Sequence, residues 1–325
     1  MLVSLLIILL LVILLALTVA PLESLGWWSH TGADQAASLA ESLIAIETTA
    51  TTEPSETPTY SRYLIYLSGI GAIDGTSIPE EEHPFLKGIQ DGLPTTKVID
   101  DVFPYSVDNN GLTAQRSMAR LWRWIEKLRL KNPNSQAAML VNARNAIQMF
   151  VCSDRRYGPT YNIGTARVIT ESLNRHGYPF GSGIPVTILG WSGGAQIALG
   201  ACWYLGMEGM PLSVVSIGGM MADDYGLDKI DKVWHFAGSK DPMQKLGAIL
   251  FAGRWPHALF SPWTKALNEG RIDIIPIGPM THFMSKHYFD TETFGPDGRS
   301  YLQVTIDGVI AVLEGKPVKT VPLTS

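Results

Sequence analysis

A serine flanked by glycines is the residue of this sequence best placed for chemistry. Residues Gly190 to Gly194 read GWSGG, which fits the pattern G-x-S-x-G. A β-branched run at 184–189 precedes the motif, and small, helix-favouring residues follow it at 195–201. A serine in a sharp turn between a strand and a helix needs neighbours without bulky side chains, because the two elements approach closely there. We therefore interpret Ser192 as a candidate nucleophile rather than as part of an ordinary glycine-rich turn.

Two residues further along the chain are suited to activate this serine. A serine hydroxyl becomes a good nucleophile when a histidine accepts its proton and a carboxylate orients that histidine. Asp241 stands in the turn after the strand-like segment 232–237, and His282 follows the strand-like segment 272–277. Parallel strands present their carboxyl ends at one edge of a sheet, where sites form. The order Ser, Asp, His predicts Ser192 as nucleophile, Asp241 as orienting carboxylate and His282 as general base.

Other residues compete for two of these roles. Asp223 and Asp224 follow the preceding strand-like segment and are alternative acids. His287 lies five residues after His282 and is the alternative base, whereas His235 lies inside a strand-like segment, as expected of a core histidine. The other histidines precede a plausible position or lie in loops without evident partners: His30, His83, His176 and His257.

Backbone N–H groups must stabilise the negative charge that develops when a serine attacks a carbonyl. One donor is expected from Gly193, immediately after the candidate nucleophile. The other is expected from the glycine-rich loop LSGIGA at 67–72, where Gly69 and Ile70 are both candidates. This loop lacks the third spaced glycine of a dinucleotide-binding turn. The predicted chemistry requires no metal and no organic cofactor.

Length and composition indicate one large α/β domain with additions. The chain has 325 residues, of which 46% are hydrophobic, and this is enough for a sizeable core. From residue 61 onward strand-like and helix-like segments alternate, which predicts a mostly parallel sheet of about six strands flanked by helices. The predicted strands are 62–68, 97–103, 184–189, 212–217, 232–237 and 272–277. The predicted helices lie near 80–91, 112–130, 137–151, 161–176, 194–206 and 297–314.

The beginning of the chain differs from the rest. Leu2 to Ala20 contains no charged residue, and this length is just sufficient to span a bilayer. Pro21 directly after the one cleavage-like sequence argues against removal of the run. We predict an uncleaved transmembrane anchor at 1–22, a spacer and Thr/Pro-rich linker at 23–60, and the main domain at 61–325. Neither flank of the anchor carries Lys or Arg, so the side of the membrane stays open.

Charge is distributed unevenly along the chain. The net charge of −5 gives no signature of nucleic-acid binding. Between Arg116 and Arg156, however, there are nine basic and two acidic residues. Spacing within this stretch places apolar and basic side chains on opposite faces of a helix. It predicts a basic amphipathic cap or insertion at about 112–157, either as a solvated surface helix or as one that lies against anionic lipid.

Seven stretches of the sequence resemble the α/β-hydrolase superfamily over about residues 61–315. More narrowly, they are similar to uncharacterised membrane-anchored hydrolase-like proteins of bacteria. The resemblance implies a Ser-Asp-His triad on an eight-stranded sheet. This sequence departs from that pattern in two places. The segment between the linker and Arg62 is too short for the first two strands, so six strands are expected. Ser68 stands at the position before the oxyanion loop where the family usually has histidine. The stretches are GIGAIDG (69–75), PYSV (104–107), SDRRYGPTYN (153–162), GWSGGAQIA (190–198), GSKDPMQKLGAI (238–249), GRW (253–255) and GPMTH (278–282).

Two functions are compatible with these observations. The first is a membrane-anchored serine hydrolase of the lipase, esterase or thioesterase type. It would have the lipid bilayer as a partner, bind no nucleic acid, and act on an acyl ester or thioester through an acyl-enzyme intermediate. The second is a hydrolase-fold binding or scaffold module at the membrane that has lost turnover. The intact Ser-Asp-His order favours the enzyme, since a scaffold has no need of it.

Overall fold

The computed structural model describes residues 60–71, 78–105 and 136–321. The predicted anchor at 1–22, nearly all of the spacer at 23–60 and the predicted helix at 112–130 lie outside these ranges. No helix within the described ranges combines the length and the apolar character needed to span a bilayer.

Six strands lie in the described part of the chain, at the six predicted places. They form one sheet in the order β2-β1-β3-β4-β5-β6, and every neighbouring pair is parallel. The predicted mostly parallel α/β sheet of about six strands is thus confirmed. The strands are β1 Arg62–Leu67, β2 Thr96–Ile99, β3 Val186–Trp191, β4 Leu212–Ile217, β5 Lys232–Gly238 and β6 Ile272–Gly278.

Strand β2 is shorter than the predicted segment 97–103, and side-chain bonding accounts for the difference. The carboxylate of Asp101 accepts hydrogen bonds from Ser172 and from Arg175, which lies 2.9 Å away. These bonds tie residue 101 to a neighbouring helix instead of the sheet.

Helices cover both faces of the sheet. The α-helices are α1 His83–Gly92, α2 Gln136–Ser153, α3 Gly158–Arg175, α4 Gly193–Met207, α5 Pro242–Leu250, α6 Pro262–Asn268 and α7 Tyr301–Leu313. Short 3-10 helices occur at Glu80–Glu82, Tyr225–Lys229 and Ala252–Arg254. Residues of α2, α3, α4 and α6 share one core cluster with the sheet, and residues of α1 and α7 share the other.

The sequence analysis missed helices α5 and α6, although both carry recognisable start signals. Asp241 precedes α5, and its side chain accepts a hydrogen bond from the N–H of Met243. Ser261 precedes α6 and accepts from Thr264 in the same way. Proline occupies the first turn of each helix, where its missing N–H costs nothing. A capping residue followed by proline therefore marked both starts, but the helices are short, with nine and seven residues.

Candidate active site

The turn between β3 and α4 holds Ser192 in an unusual backbone conformation, with φ 52° and ψ −120°. Such a conformation costs about 1 to 3 kcal/mol in a non-glycine residue and persists where the surroundings impose it. A Cβ atom on Gly190 would lie 2.4 Å from Cα of Ala195. One on Gly194 would lie 2.3 Å from the backbone oxygen of Leu67. Both flanking positions therefore require glycine, as the sequence motif predicts.

Three predicted site residues form one hydrogen-bonded chain. The Oγ atom of Ser192 lies 2.8 Å from Nε2 of His282, and Nδ1 of that ring lies 2.8 Å from Oδ2 of Asp241. Because a carboxylate only accepts, we place the imidazole proton on Nδ1, which leaves Nε2 to accept from the serine hydroxyl. His282 is 3% exposed and Asp241 is fully buried. This arrangement can activate a serine for nucleophilic attack.

The carboxylate of Asp241 is fixed by donors besides the imidazole. Its Oδ1 accepts from the N–H of Met243 at 2.8 Å, and its Oδ2 accepts from the hydroxyl of Tyr288 at 2.9 Å. That hydroxyl in turn accepts from the N–H of Gly238 at 2.8 Å. Burial raises the pKa of Tyr288, so the phenol stays protonated and remains a donor. The carboxylate is thereby held in a defined position facing His282.

An aromatic ring supports the histidine from one side. The rings of Trp191 and His282 are stacked, with centroids 4.6 Å apart and an interplanar angle of 18°. Trp191 also meets the rings of Tyr288 and Phe289 edge-on, at 5.3 and 5.1 Å. Trp191, which occupies the variable position before Ser192 in the motif, thus limits rotation of the His282 ring.

The loop after β1 approaches the start of α4. A Cβ atom on Gly69 would lie 3.2 Å from Cβ of Ser192, and one on Gly193 would lie 2.9 Å from Cγ2 of Ile70. Within the described residues, the backbone N–H groups of positions 69, 70 and 193 have no hydrogen-bond partner. All three predicted oxyanion donors therefore lie close to the serine, and the choice between Gly69 and Ile70 remains open.

The competing histidines have other partners. The Nδ1 atom of His287 accepts a hydrogen bond from the N–H of Phe289 at 3.2 Å, while the bonds that link the serine to the aspartate are made by His282. His287 nevertheless borders the same cleft. His235 is buried, as predicted for a core histidine, and its Nδ1 pairs with Oγ of Ser216 at 3.0 Å.

The competing acids are also engaged elsewhere. Asp223 pairs with Arg155, with 2.8 Å between Oδ2 and Nη2. Asp224 accepts from the side chain of Gln196 at 2.9 Å and from the N–H of Gly226 at 2.8 Å. Burial raises the pKa of Asp224 to about 6. Asp224 therefore caps the 3-10 helix Tyr225–Lys229 rather than orienting a histidine.

A cleft opens over the serine. Its rim includes Phe283 and Met284, which are 57% and 89% exposed, and its wall includes Ile70, Trp191 and Glu82. The apolar rim could contact a hydrophobic group of a substrate that enters the cleft.

Sequence reasoning missed three side chains that shape this site. Trp191 lay inside the motif but was treated as its variable position. Tyr288 has no local pattern that links it to Asp241, because the two are far apart in sequence. Glu82 ends the run Glu80–Glu82, which looks like a solvated acidic surface, yet its side chain is buried.

Comparisons with known proteins give distant similarity to solved structures alone. No protein-family model matches the chain, and no curated protein is similar to it in sequence. Among solved structures, the chain is similar to carboxyl esterase 2 from the mycorrhizal fungus Tuber melanosporum. The match covers 80% of this chain and 80% of that chain, with 10% sequence identity and a TM-score of 0.43. The chemistry of the site is therefore inferred from the chain's own residues.

Proposed function

We propose that this protein is a serine hydrolase that cleaves a carboxylic ester or thioester through an acyl-enzyme intermediate. The observation that carries the proposal is the hydrogen-bonded chain from Ser192 through His282 to Asp241, with 2.8 Å at each step. A strained serine at the carboxyl end of a parallel strand supports the same chemistry, as do the backbone N–H groups beside it that have no hydrogen-bond partner among the described residues.

Acylation begins when Oγ of Ser192 attacks the carbonyl carbon of the substrate while its proton moves to Nε2 of His282. Asp241 stabilises the imidazolium that results. The backbone N–H of Gly193, together with that of Gly69 or Ile70, stabilises the oxyanion. Collapse of the tetrahedral intermediate breaks the carbon–oxygen or carbon–sulfur bond. His282 then gives its proton to the departing alcohol or thiol, and the acyl group remains on the serine.

Deacylation repeats these steps with water as the nucleophile. Water adds to the acyl carbon as its proton moves to Nε2 of His282. Collapse of the second tetrahedral intermediate breaks the bond to Oγ and releases the carboxylic acid, and His282 returns the proton to Ser192. The protein's groups are restored without any metal or organic cofactor.

An acyl substrate of lipidic character fits the rim of the cleft. Phe283 and Met284 are large apolar side chains, and both are more than half exposed beside the serine. Apolar contacts of this kind favour an acyl chain over a charged group. We further propose that the uncharged run Leu2–Ala20 anchors the protein in the lipid bilayer, which would bring the cleft close to such substrates.

Covalent labelling of the full-length protein by a fluorophosphonate probe tests the hydrolase proposal. The wild type should be labelled on Ser192, and Ser192→Ala should abolish labelling. Turnover of p-nitrophenyl esters and acyl thioesters of graded chain length should fall roughly 10⁴-fold or more in this variant, because the three residues act as a unit. Absence of labelling in the folded wild type would instead favour a scaffold without turnover.

Matched histidine variants add a control to this test. His282→Ala should be nearly as damaging as Ser192→Ala, because the serine loses its base. His287→Ala removes an imidazole at the border of the same cleft and should lower turnover less than tenfold. Equal losses in the two histidine variants would contradict the assignment of His282.

Membrane fractionation tests the proposed anchor. The full-length protein should remain with membranes through high-salt and carbonate washing, because burial of an apolar run of this length does not depend on charge. Its mature N-terminus should still contain the run Leu2–Ala20. Release of the intact protein by carbonate, or a mature N-terminus at Pro21, would contradict the proposal.

A further inference from the structure

A buried carboxylate lies behind the loop that follows β1. The side chain of Glu82 is 2% exposed, and its hydrogen-bond partners among the described residues include no basic side chain. Its Oε2 accepts from the hydroxyl of Tyr66 at 2.7 Å, and its Oε1 accepts from Oγ of Ser68 at 3.0 Å. Burial of a carboxylate is costly, and two hydrogen bonds from hydroxyl groups offset part of that cost.

One of the two hydroxyl partners belongs to the loop itself. Ser68 directly precedes Gly69 and Ile70, the two candidate loop donors, and is 4% exposed. Tyr66 lies within β1, where backbone pairing with β3 already fixes its position. The bond from Ser68 to Glu82 is therefore the one that restrains the loop.

A second buried side chain holds the same loop at Ile70. The Nδ2 atom of Asn145 donates to the backbone oxygen of Ile70 at 2.9 Å, and Asn145 is 1% exposed. Its own Oδ1 accepts from Nη1 of Arg144 at 3.2 Å, which fixes the orientation of the amide. Asn145 belongs to α2, whereas Glu82 belongs to the 3-10 helix before α1. Two separate elements thus hold the loop from two sides.

The position of this loop matters because it packs directly against the serine turn. A Cβ atom on Gly69 would lie 3.0 Å from Cδ1 of Trp191 and 3.2 Å from Cβ of Ser192. An N–H donor stabilises an oxyanion when it lies about 2.7 to 3.1 Å from the position of that oxygen, so a small displacement of the loop removes the interaction.

We propose that Glu82 and Asn145 are positioning residues that hold the loop after β1, through Ser68 and the Ile70 carbonyl, in the geometry that stabilises the oxyanion. The inference rests on the proposed function, since it assigns these residues a part in that reaction. The hydrogen bonds of these two side chains within the described residues do not involve Ser192, His282 or Asp241.

The ionisation of Glu82 is compatible with this role. Burial raises the pKa of Glu82 to about 7, although the bonds from Tyr66 and Ser68 lower it. Once protonated on Oε2, the carboxyl can donate to the oxygen of Tyr66 while Oε1 still accepts from Ser68. The restraint on the loop therefore does not need the charge, and a glutamine side chain could provide the same two contacts.

Steady-state kinetics of full-length variants on p-nitrophenyl butyrate test the proposal. Ser68→Ala, Glu82→Leu and Asn145→Leu should each lower kcat by roughly 10- to 100-fold, below the roughly 10²- to 10³-fold loss expected when a donor is removed outright. KM should change less than about threefold, because the oxyanion exists in the transition state and not in the bound substrate. The rate of fluorophosphonate labelling should fall in parallel with kcat.

Two further variants separate positioning from a general loss of stability. Tyr66→Phe removes the other hydrogen bond to Glu82 without touching the loop, so it should lower Tm while kcat stays within about threefold of the wild type. Glu82→Gln should restore most of the kcat lost in Glu82→Leu. Wild-type kcat in Ser68→Ala and Asn145→Leu would overturn the proposal. A loss of kcat in Tyr66→Phe as large as that in Ser68→Ala would also overturn it. The same holds if Glu82→Gln has a kcat as low as that of Glu82→Leu.

The outcome for the wild type distinguishes this inference from the proposed function. If the wild type is labelled on Ser192 and the positioning variants keep full activity, the hydrolase stands and the positioning role is wrong. If the folded wild type shows neither labelling nor turnover, the proposed function and this inference both fail.

Discussion

Single residues decide how the serine, the histidine and the aspartate meet. Ser192 has a strained backbone, and His282 is confined between Trp191 on one side and the carboxylate of Asp241 on the other. Tyr288 and the N–H of Met243 hold that carboxylate in turn. A histidine restrained in this way loses little rotational freedom during a reaction, which is what preorganised catalysis requires.

Replacement of one carboxylate oxygen tests the orienting role of Asp241. In Asp241→Asn, the amide NH2 that faces Nδ1 would favour the tautomer of His282 with its proton on Nε2. In that tautomer Nε2 cannot accept the proton of Ser192. We expect kcat to fall roughly 10⁴-fold, with little change in KM. Asp223→Asn is the matched control, because Asp223 pairs with Arg155 and not with a histidine, and it should keep turnover within about threefold. Similar losses in both variants would show that Asp241 has no special role.

At the scale of elements, the site depends on how tightly β3, α4 and β1 pack around one turn. The serine motif provides glycine at the two close contacts. Gly194, at the start of α4, lies against the end of β1, and Gly190, in β3, lies against α4. Ser192 directly follows β3, whereas Asp241 and His282 lie in the loops that follow β5 and β6. The parallel sheet brings these three ends to one edge, although the residues are far apart in sequence.

Two glycine variants test the packing of these elements. Gly194→Ala would place a Cβ 2.3 Å from the backbone oxygen of Leu67, which cannot rotate away, so we expect a loss of about 3 kcal/mol or more in the free energy of unfolding. Gly88→Ala would place a Cβ 2.5 Å from Cδ1 of Ile306. That methyl can rotate, and alanine gains about 1 kcal/mol of helix propensity, so this variant should be close to neutral. Urea denaturation measures both, and equal losses would contradict the packing argument.

For the described part of the molecule as a whole, the pH dependence of stability depends on buried ionisable groups. His235 is 2% exposed within β5 and pairs with Ser216 of β4. Burial lowers the pKa of His235 from 6.5 to about 4, whereas burial raises the pKa values of Glu82 and Asp224. The histidine and the two acids therefore affect the pH dependence of unfolding in opposite directions.

The contribution of His235 to acid sensitivity can be measured with a matched pair of variants. Because its pKa is lower in the folded state, the stabilisation is present above pH 6.5 and is lost as the pH falls towards 4. A shift of this size corresponds to about 3 kcal/mol over that range. His235→Gln should lose less free energy of unfolding between pH 7 and pH 4.5 than the wild type does. His257→Gln replaces an exposed histidine and should keep the wild-type dependence of the free energy of unfolding on pH. The argument is contradicted if His235→Gln also keeps it.

Local patterns in the sequence were sufficient to predict the sheet and the order of the candidate site residues. Alternation of apolar runs with turn residues located all six strands, because burial on both faces requires continuous hydrophobic segments. Glycines around Ser192 marked the turn, because no other residue fits against Ala195 and Leu67 there. Helices α5 and α6 were missed, since with nine and seven residues they are shorter than the about 11 to 18 residues over which a helical period is read.

The tertiary structure alone decided which side chains face one another. The sequence left His282 and His287 as alternatives, because they are close in sequence and only the course of the loop turns one ring towards Ser192 and Asp241. It also gave no sign that Glu82 is buried behind Ser68. Hydrogen bonds between residues that are distant in the chain produce no repeating pattern in the sequence. They depend on distances and directions between side chains, which are set when the core packs.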